Sequence, residues 1–304
     1  MNIFKKITIL ATALFLFNSA AYSQGCSDAG FCTINSLKPH GDESDQPLNH
    51  QIKVGFFSGK ADNNINVYGN YLEYNRILTK HFSLDTKLTT LGQTGNGISV
   101  FGISDLFVNG NYSVADHLNL TLGAKIPLND GGRSRNNLAL PMDYQASLGT
   151  FDLILGIGYQ LGRLQMAVAT QLPLNQNKNQ FTASQYPSGS SLTTFQPTAN
   201  FKRSGDVLLR LSYPITITPS FRITPSVLPI YHLANDTYTS ETGLETEITG
   251  SKGLTFNSNI YFDYEINHRH ALQLNVSKPF VVRDARPDGL TRSFVANLEY
   301  KIRF

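Results

Sequence analysis

About twelve stretches of this chain alternate apolar with polar residues, and the closing one, "SFVANLEYKIRF", shows what the pattern demands. Phe294, Ala296, Leu298, Tyr300, Ile302 and Phe304 are apolar, while Asn297, Glu299, Lys301 and Arg303 between them are polar. A period of two is a β-strand with one apolar and one polar face. The charged face must meet water, so the apolar face either covers a soluble core or meets lipid. Length separates these two cases. Several stretches run to 11 residues or more, as a tilted strand needs to cross a bilayer, whereas strands in soluble sheets are usually shorter.

The stretches lie near 51–58, 65–77, 81–92, 98–114, 117–128, 142–161, 163–174, 198–215, 220–234, 253–266, 270–282 and 292–304. Their connections alternate in kind. "LTKH", "VADH", "LGR", "TPS" and "NHRH" are tight, whereas 129–141, 175–197, 235–252 and 283–291 are long and polar; "GKADNN" and "GQTGNG", on the long side, are shorter but flexible. Outer-membrane barrels show this asymmetry, with short periplasmic turns and longer extracellular loops. The fold class is therefore all-β: a transmembrane antiparallel β-barrel of about 12 strands, within roughly 10–14.

Parity along each strand is an independent check, because lipid-facing positions keep one phase. If Leu118, Leu120, Leu122, Ala124 and Ile126 face out, Asn119, Thr121 and Lys125 face in. The sixth stretch changes phase near Gly149, which reads as a bulge. On these phases the outward residues beside the short turns are Tyr74, Phe82, Tyr112, Tyr159, Tyr213, Phe221, Tyr264 and Phe304. Such rings belong at the membrane interface, and Phe304 is the last strand's share of the girdle.

The chain opens on "MNIFKKITILATALFLFNSAAYSQ", a secretory signal peptide over 1–23 with cleavage after Ser23, implying Sec export. Removing Lys5 and Lys6 leaves 25 − 2 = 23 basic against 22 acidic side chains, which points to no nucleic-acid partner. A periplasmic segment, 24–50, precedes the barrel at 51–304 and holds the two cysteines. In an oxidising compartment Cys26 and Cys32 are expected to form a local disulfide. A lipid anchor on Cys26 is disfavoured by the Ser-Gln-Gly before it, and a thiol or copper site with His40 or His50 lacks repeated ligand spacing, so no metal or other cofactor is assigned.

A hairpin unit recurs in "DLFVNGNYSVADHLNLTLGAKIPLN", "DLILGIGYQLGRLQMAVATQLPLN" and "DVLLRLSYPITITPSFRITPSVLP", and again with Asn257 in place of Asp in "NSNIYFDYEINHRHALQLNVSKP". Each has Tyr seven residues after the first position. Seven is odd, so the Asp faces the lumen when the Tyr faces lipid, about 23 Å further along the strand. Asp105, Asp152 and Asp206, with Lys125, are thus candidates for a charged constriction in the outer half, or for a structural ion-pair network. Asn109, Gln165, Gln171, Asn257, Asn259 and Asn275 are candidate lumen lining.

The repeat over about 97–283 resembles the outer-membrane channel family linked to phenol degradation (MetA pathway), which implies a channel-like barrel and little about cargo. The last strand resembles the C-terminal signal of bacterial outer-membrane proteins, carried by Leu298, Tyr300, Ile302 and Phe304. That resemblance implies recognition by the barrel-assembly machinery and residence in the outer membrane of a Gram-negative-type bacterium, with outer-membrane lipid as surroundings. The neutral amide lining favours passive uptake or release of small polar solutes, with the solute itself unknown. A non-transporting barrel for surface display or anchoring is the alternative. An outer-membrane lipid hydrolase is a third reading, but His81, His117, His268 and His270 fall at the short turns and His232 points inward, so no catalytic residue is assigned and the chain reads as a non-enzyme.

Overall fold

A computed structural model of the chain describes residues 34–39, 48–289 and 293–304. The strands are β1 (His50–Lys60), β2 (Asn66–Ile77), β3 (Phe82–Gly95), β4 (Ile98–Ala115), β5 (Leu118–Pro127), β6 (Asp152–Leu161) and β7 (Leu164–Pro173). They continue as β8 (Asp206–Ser212, resumed at Ile215–Thr218), β9 (Phe221–His232), β10 (Gly253–Glu265), β11 (His270–Val281) and β12 (Phe294–Arg303). Neighbours pair antiparallel in chain order, and β1 pairs with β12 from Gln51↔Arg303 to Lys60↔Phe294, so the sheet closes into a 12-strand barrel. Closure leaves no unpaired edge, which the hydrocarbon of a bilayer requires.

Two of the twelve expected stretches are shorter in the structure. The sixth strand begins at Asp152 and not near 142, because Met142, Tyr144 and Leu148 are buried among loops and face no lipid. Gly149 keeps a left-handed φ of 71°, but it lies outside the strand, so the phase change there marks a departure from the sheet rather than a bulge. The eighth strand starts at Asp206 and not near 198, and it breaks at Tyr213 and Pro214, where proline has no N–H for the ladder. The register shifts that do occur lie between Leu88 and Thr90, Ser113 and Ala115, Thr216 and Thr218, and Phe256 and Asn257.

The outer surface is apolar. Phe82, Tyr112, Tyr159, Tyr213, Tyr264 and Phe304 are all exposed near the short-turn end, and Phe82↔Tyr112 and Phe221↔Tyr264 are direct register partners. A second belt rings the other end: Tyr68 stacks on Phe101 with centroids 6.2 Å apart, and Tyr231, Phe280 and Phe294 are also exposed. Phe221 and Tyr231 bound one strand ten residues apart, which at the usual rise and tilt is about 25 Å of height, the thickness of a barrel's lipid band. Leu298, Tyr300, Ile302 and Phe304 lie on the outer face of β12, with Phe304 exchanging backbone hydrogen bonds with His50 at 2.9 and 3.1 Å.

Candidate functional site: the lumen and its plug

In the short-turn half of the barrel the inward positions of adjacent strands line up by register. Lys301 sits opposite Lys53, Lys53 opposite Glu73, and Glu73 opposite Lys87, forming one charged row across β12, β1, β2 and β3. Lys53 donates to Glu73 at 2.9 Å with both side chains buried. One rung further in, Tyr71 crosses β1 to donate its hydroxyl to Glu299 at 2.7 Å. It can do so because Gly55 is bare: a Cβ there would stand 2.1 Å from the Tyr71 ring. Lys87 lies over the same ring, 4.1 Å from its centroid. The sequence reading missed this cluster as a site, although the alternation of β1, β2 and β3 carries a legible sign of it, namely Lys and Glu at inward positions.

The N-terminal segment expected below the barrel reaches into it. Residues 34–39 hold a short 3₁₀ turn, Asn35–Leu37, inside the lumen. Ile34 and Leu37, each 1% exposed, pack with Phe107, Ile154, Ala167, Ala169, Leu208 and Leu228, an apolar patch on the inner wall of β4 and β6–β9. Gly156 of that patch has no side chain, and a Cβ on it would come within 3.0 Å of Leu37 Cδ2. Arg210 Nη1 donates to the Leu37 carbonyl at 2.7 Å. On the opposite wall Lys38 Nζ donates to Glu299 at 2.7 Å, to the same oxygen that accepts from Tyr71. The segment therefore bridges the lumen as a plug, with aliphatic contacts on one side and a buried ion pair on the other. A cavity of about 60 Å³ lies against it, bounded by Asn119, Gln160 and Gln165 near the short turns.

The charged residues singled out in the outer half all face inward, but each has its own partners. Lys125 and Asp152 are register partners and form a fully buried ion pair at 2.7 Å. Asp105 accepts from Ser104 at 2.9 Å and from the loop residue Ser147 at 2.6 Å. Asp206 binds Arg203 and His232, and His232 also contacts Asp236 at 2.8 Å. Arg283 joins Asp288 at 2.9 Å, and Arg203 lies 3.7 Å from the same carboxylate. Buried charges persist only when paired in this way. Above this level the external loops form a cap with its own apolar core. Leu140, Tyr144 and Ala146 from loop 128–151 and Phe181, Leu192 and Phe195 from loop 174–205 pack on Phe57, Ile65, Val67, Leu91, Ile98 and Val100 at the strand ends.

Asn109, Gln171, Asn257, Asn259 and Asn275 are buried on the inner face, and Gln165 is half-buried beside the plug cavity. Cys26, Cys32 and His40 lie outside the described residues. His50 stacks between Tyr74 and Phe304 at the barrel mouth.

The geometry compares well with known barrels. The structure superposes on an outer membrane channel from Pseudomonas putida F1 with a TM-score of 0.56 and 14% identity, over 87% of this chain and 99% of that one. The chain has the fold of an outer-membrane β-barrel. The translocator domain of the autotransporter NalP from Neisseria meningitidis aligns at a TM-score of 0.50 and 7% identity, over 86% and 90% of the two chains. No protein-family model matches the sequence, and no curated protein does. The apolar exterior between two aromatic belts is the surface this fold presents to outer-membrane lipid.

Proposed function

We propose that the chain is an outer-membrane channel for passive uptake or release of small solutes, held closed in this structure by its own N-terminal plug. One observation carries the reading: the plug's contacts are separable from the barrel's. The strands close through β1 and β12 and through β8 and β9 without any contribution from 34–39, so withdrawal of the plug removes the Ile34 and Leu37 packing, the Arg210 hydrogen bond and the Lys38 ion pair while the ladder stays intact. The level of Asp105, Lys125, Asp152 and Asp206, beneath the cap, is proposed as the charge-selecting level of the conducting form.

The test is planar-bilayer conductance of the full chain beside a full-length variant in which Ile34→Ser, Leu37→Ser and Lys38→Ser undock the plug. The variant is expected to conduct steadily and the parent only in brief openings, and Asp105→Asn should alter the ion preference of the conducting form. Silence in both forms would remove the channel reading. The apolar core of the cap favours a second reading, a non-transporting barrel that displays its loops or anchors an assembly. That reading expects silence.

A further inference from the structure

The two sides of the lumen differ in kind. The apolar patch that receives Ile34 and Leu37 ends at Leu228, the register partner of Asn257, and from there a wall of β10–β12 is built from neutral hydrogen-bonding side chains: Asn257, Asn259, Gln273, Asn275, Ser277 and Asn297. All six are at least nine-tenths buried. Register makes them contiguous, since Asn259 is opposite Ser277 and Asn275 is opposite Asn297, with Gln273 and Ser277 on either side of Asn275 along β11. Each of the six has a buried polar atom with no hydrogen-bond partner among the described residues. Buried polar groups are almost always satisfied, and a native exception needs a reason. Such atoms occur singly on other walls, as at Asn109, Gln171 and Thr224, but here six side chains on three adjacent strands are contiguous by register.

The lane carries no formal charge. The carboxylates beside it have partners on the barrel wall, Glu299 with Tyr71 (and with Lys38 while the plug is docked), and Asp263 with Gln273 at 2.7 Å and Arg222 at 3.4 Å. An ion entering would give up water for amide dipoles alone, whereas a hydroxyl replaces each water-like contact one for one. With strands about 4.8 Å apart and about 3.3 Å per residue, three strands by five residues cover roughly 10 by 13 Å, which leaves room for one monosaccharide with all its hydroxyls. The apolar patch of Ile154, Ala167, Ala169 and Leu208 suits the C–H face of such a ring.

We propose that this wall is a binding lane for neutral polyhydroxylated solutes of monosaccharide size, which rests on the channel reading and names its cargo class. The experiment uses the full-length plug-undocked variant with Glu299→Gln added, so that loss of Lys38 leaves no unpaired carboxylate beside Gln273, in liposomes with D-glucose, gluconate and protonated glucosamine as size-matched probes. Glucose should permeate about tenfold faster than either charged analogue, because a site of neutral donors and acceptors rewards hydroxyls and offers no counter-charge. Replacing the register partners Asn275→Leu and Asn297→Leu, or separately Ser277→Val, should lower glucose flux several-fold while leaving KCl conductance within about twofold. Equal permeation of the three probes, or equal loss of glucose and KCl, or loss of neither, would overturn the lane and leave the channel standing. If the undocked variant passes no KCl, the channel reading falls, and the lane is judged by calorimetric glucose binding to the detergent-folded chain: binding lost in the leucine pair supports it, and no binding ends it.

Discussion

Truncating Leu37 to alanine should open the barrel without unfolding it. The side chain is 1% exposed in the docked plug and faces water when the plug withdraws, so the substitution removes three carbons' worth of burial from the docked state alone. At about 0.8 kcal/mol per carbon this is about 2.4 kcal/mol, before any added loss from the cavity left behind. With every 1.4 kcal/mol worth tenfold, the ratio of docked to undocked plug should fall roughly 50-fold. Gly156→Ala approaches the same contact from the wall, since its new Cβ would press on Leu37 Cδ2 at 3.0 Å while Thr121 and Ala169 hold it from either side at 3.3 and 3.6 Å. Single-channel recording reads the effect as a rise in open fraction for both variants, and the temperature at which the folded band is lost on a gel reports on the barrel. An open fraction within twofold of the parent for both, with the folded band unchanged, would refute the plug as the closing element.

Three further outcomes follow from the loops and the seam. Burial pushes the Asp143 carboxyl up to about 7, so the packed cap holds a proton that the opened loop, with an ordinary value near about 3.9, releases. The cap is then most stable below about pH 4 and loosens as pH rises through about 7; protease cleavage of loop 128–151 should quicken between pH 5 and 8, and Asp143→Asn should flatten that profile. Arg203, 3% exposed between Asp206 and Asp288, should cost roughly 3–5 kcal/mol of cap stability when replaced by methionine, seen as faster cleavage in 174–205; an unchanged rate would count against the network. Deleting Phe304 removes two backbone hydrogen bonds to His50 and a ring stacked on it at 5.4 Å, and should lower the heat-modifiable folded fraction; full recovery of folded barrel would argue against a role for the terminal ring in closure.

The lumen's chemistry was only partly legible in the chain. The Asp-to-Tyr spacing correctly separated inside from outside: Asp105, Asp152, Asp206 and Asn257 are buried, and Tyr112, Tyr159, Tyr213 and Tyr264 are exposed. It could not say which cation meets which carboxylate, because Lys125 reaches Asp152 only through the β5–β6 register, and Ser147 reaches Asp105 only because its loop folds inward. The stretch at 142–151 misled for a related reason. Its alternating apolar residues satisfy a cap of loops as readily as a lipid face, and periodicity alone does not distinguish the two.

The wall is therefore written in the chain: twelve strands, their inner and outer faces, the girdle beside the short turns and the long loops opposite. Alternation and turn chemistry are local properties, written within a few residues of where they act. What fills the wall follows from the closed fold. The plug meets Glu299 across 261 positions of chain, and a contact of that span depends on closure of the whole cylinder, which brings β12 beside β1 and leaves a lumen that residues 34–39 occupy.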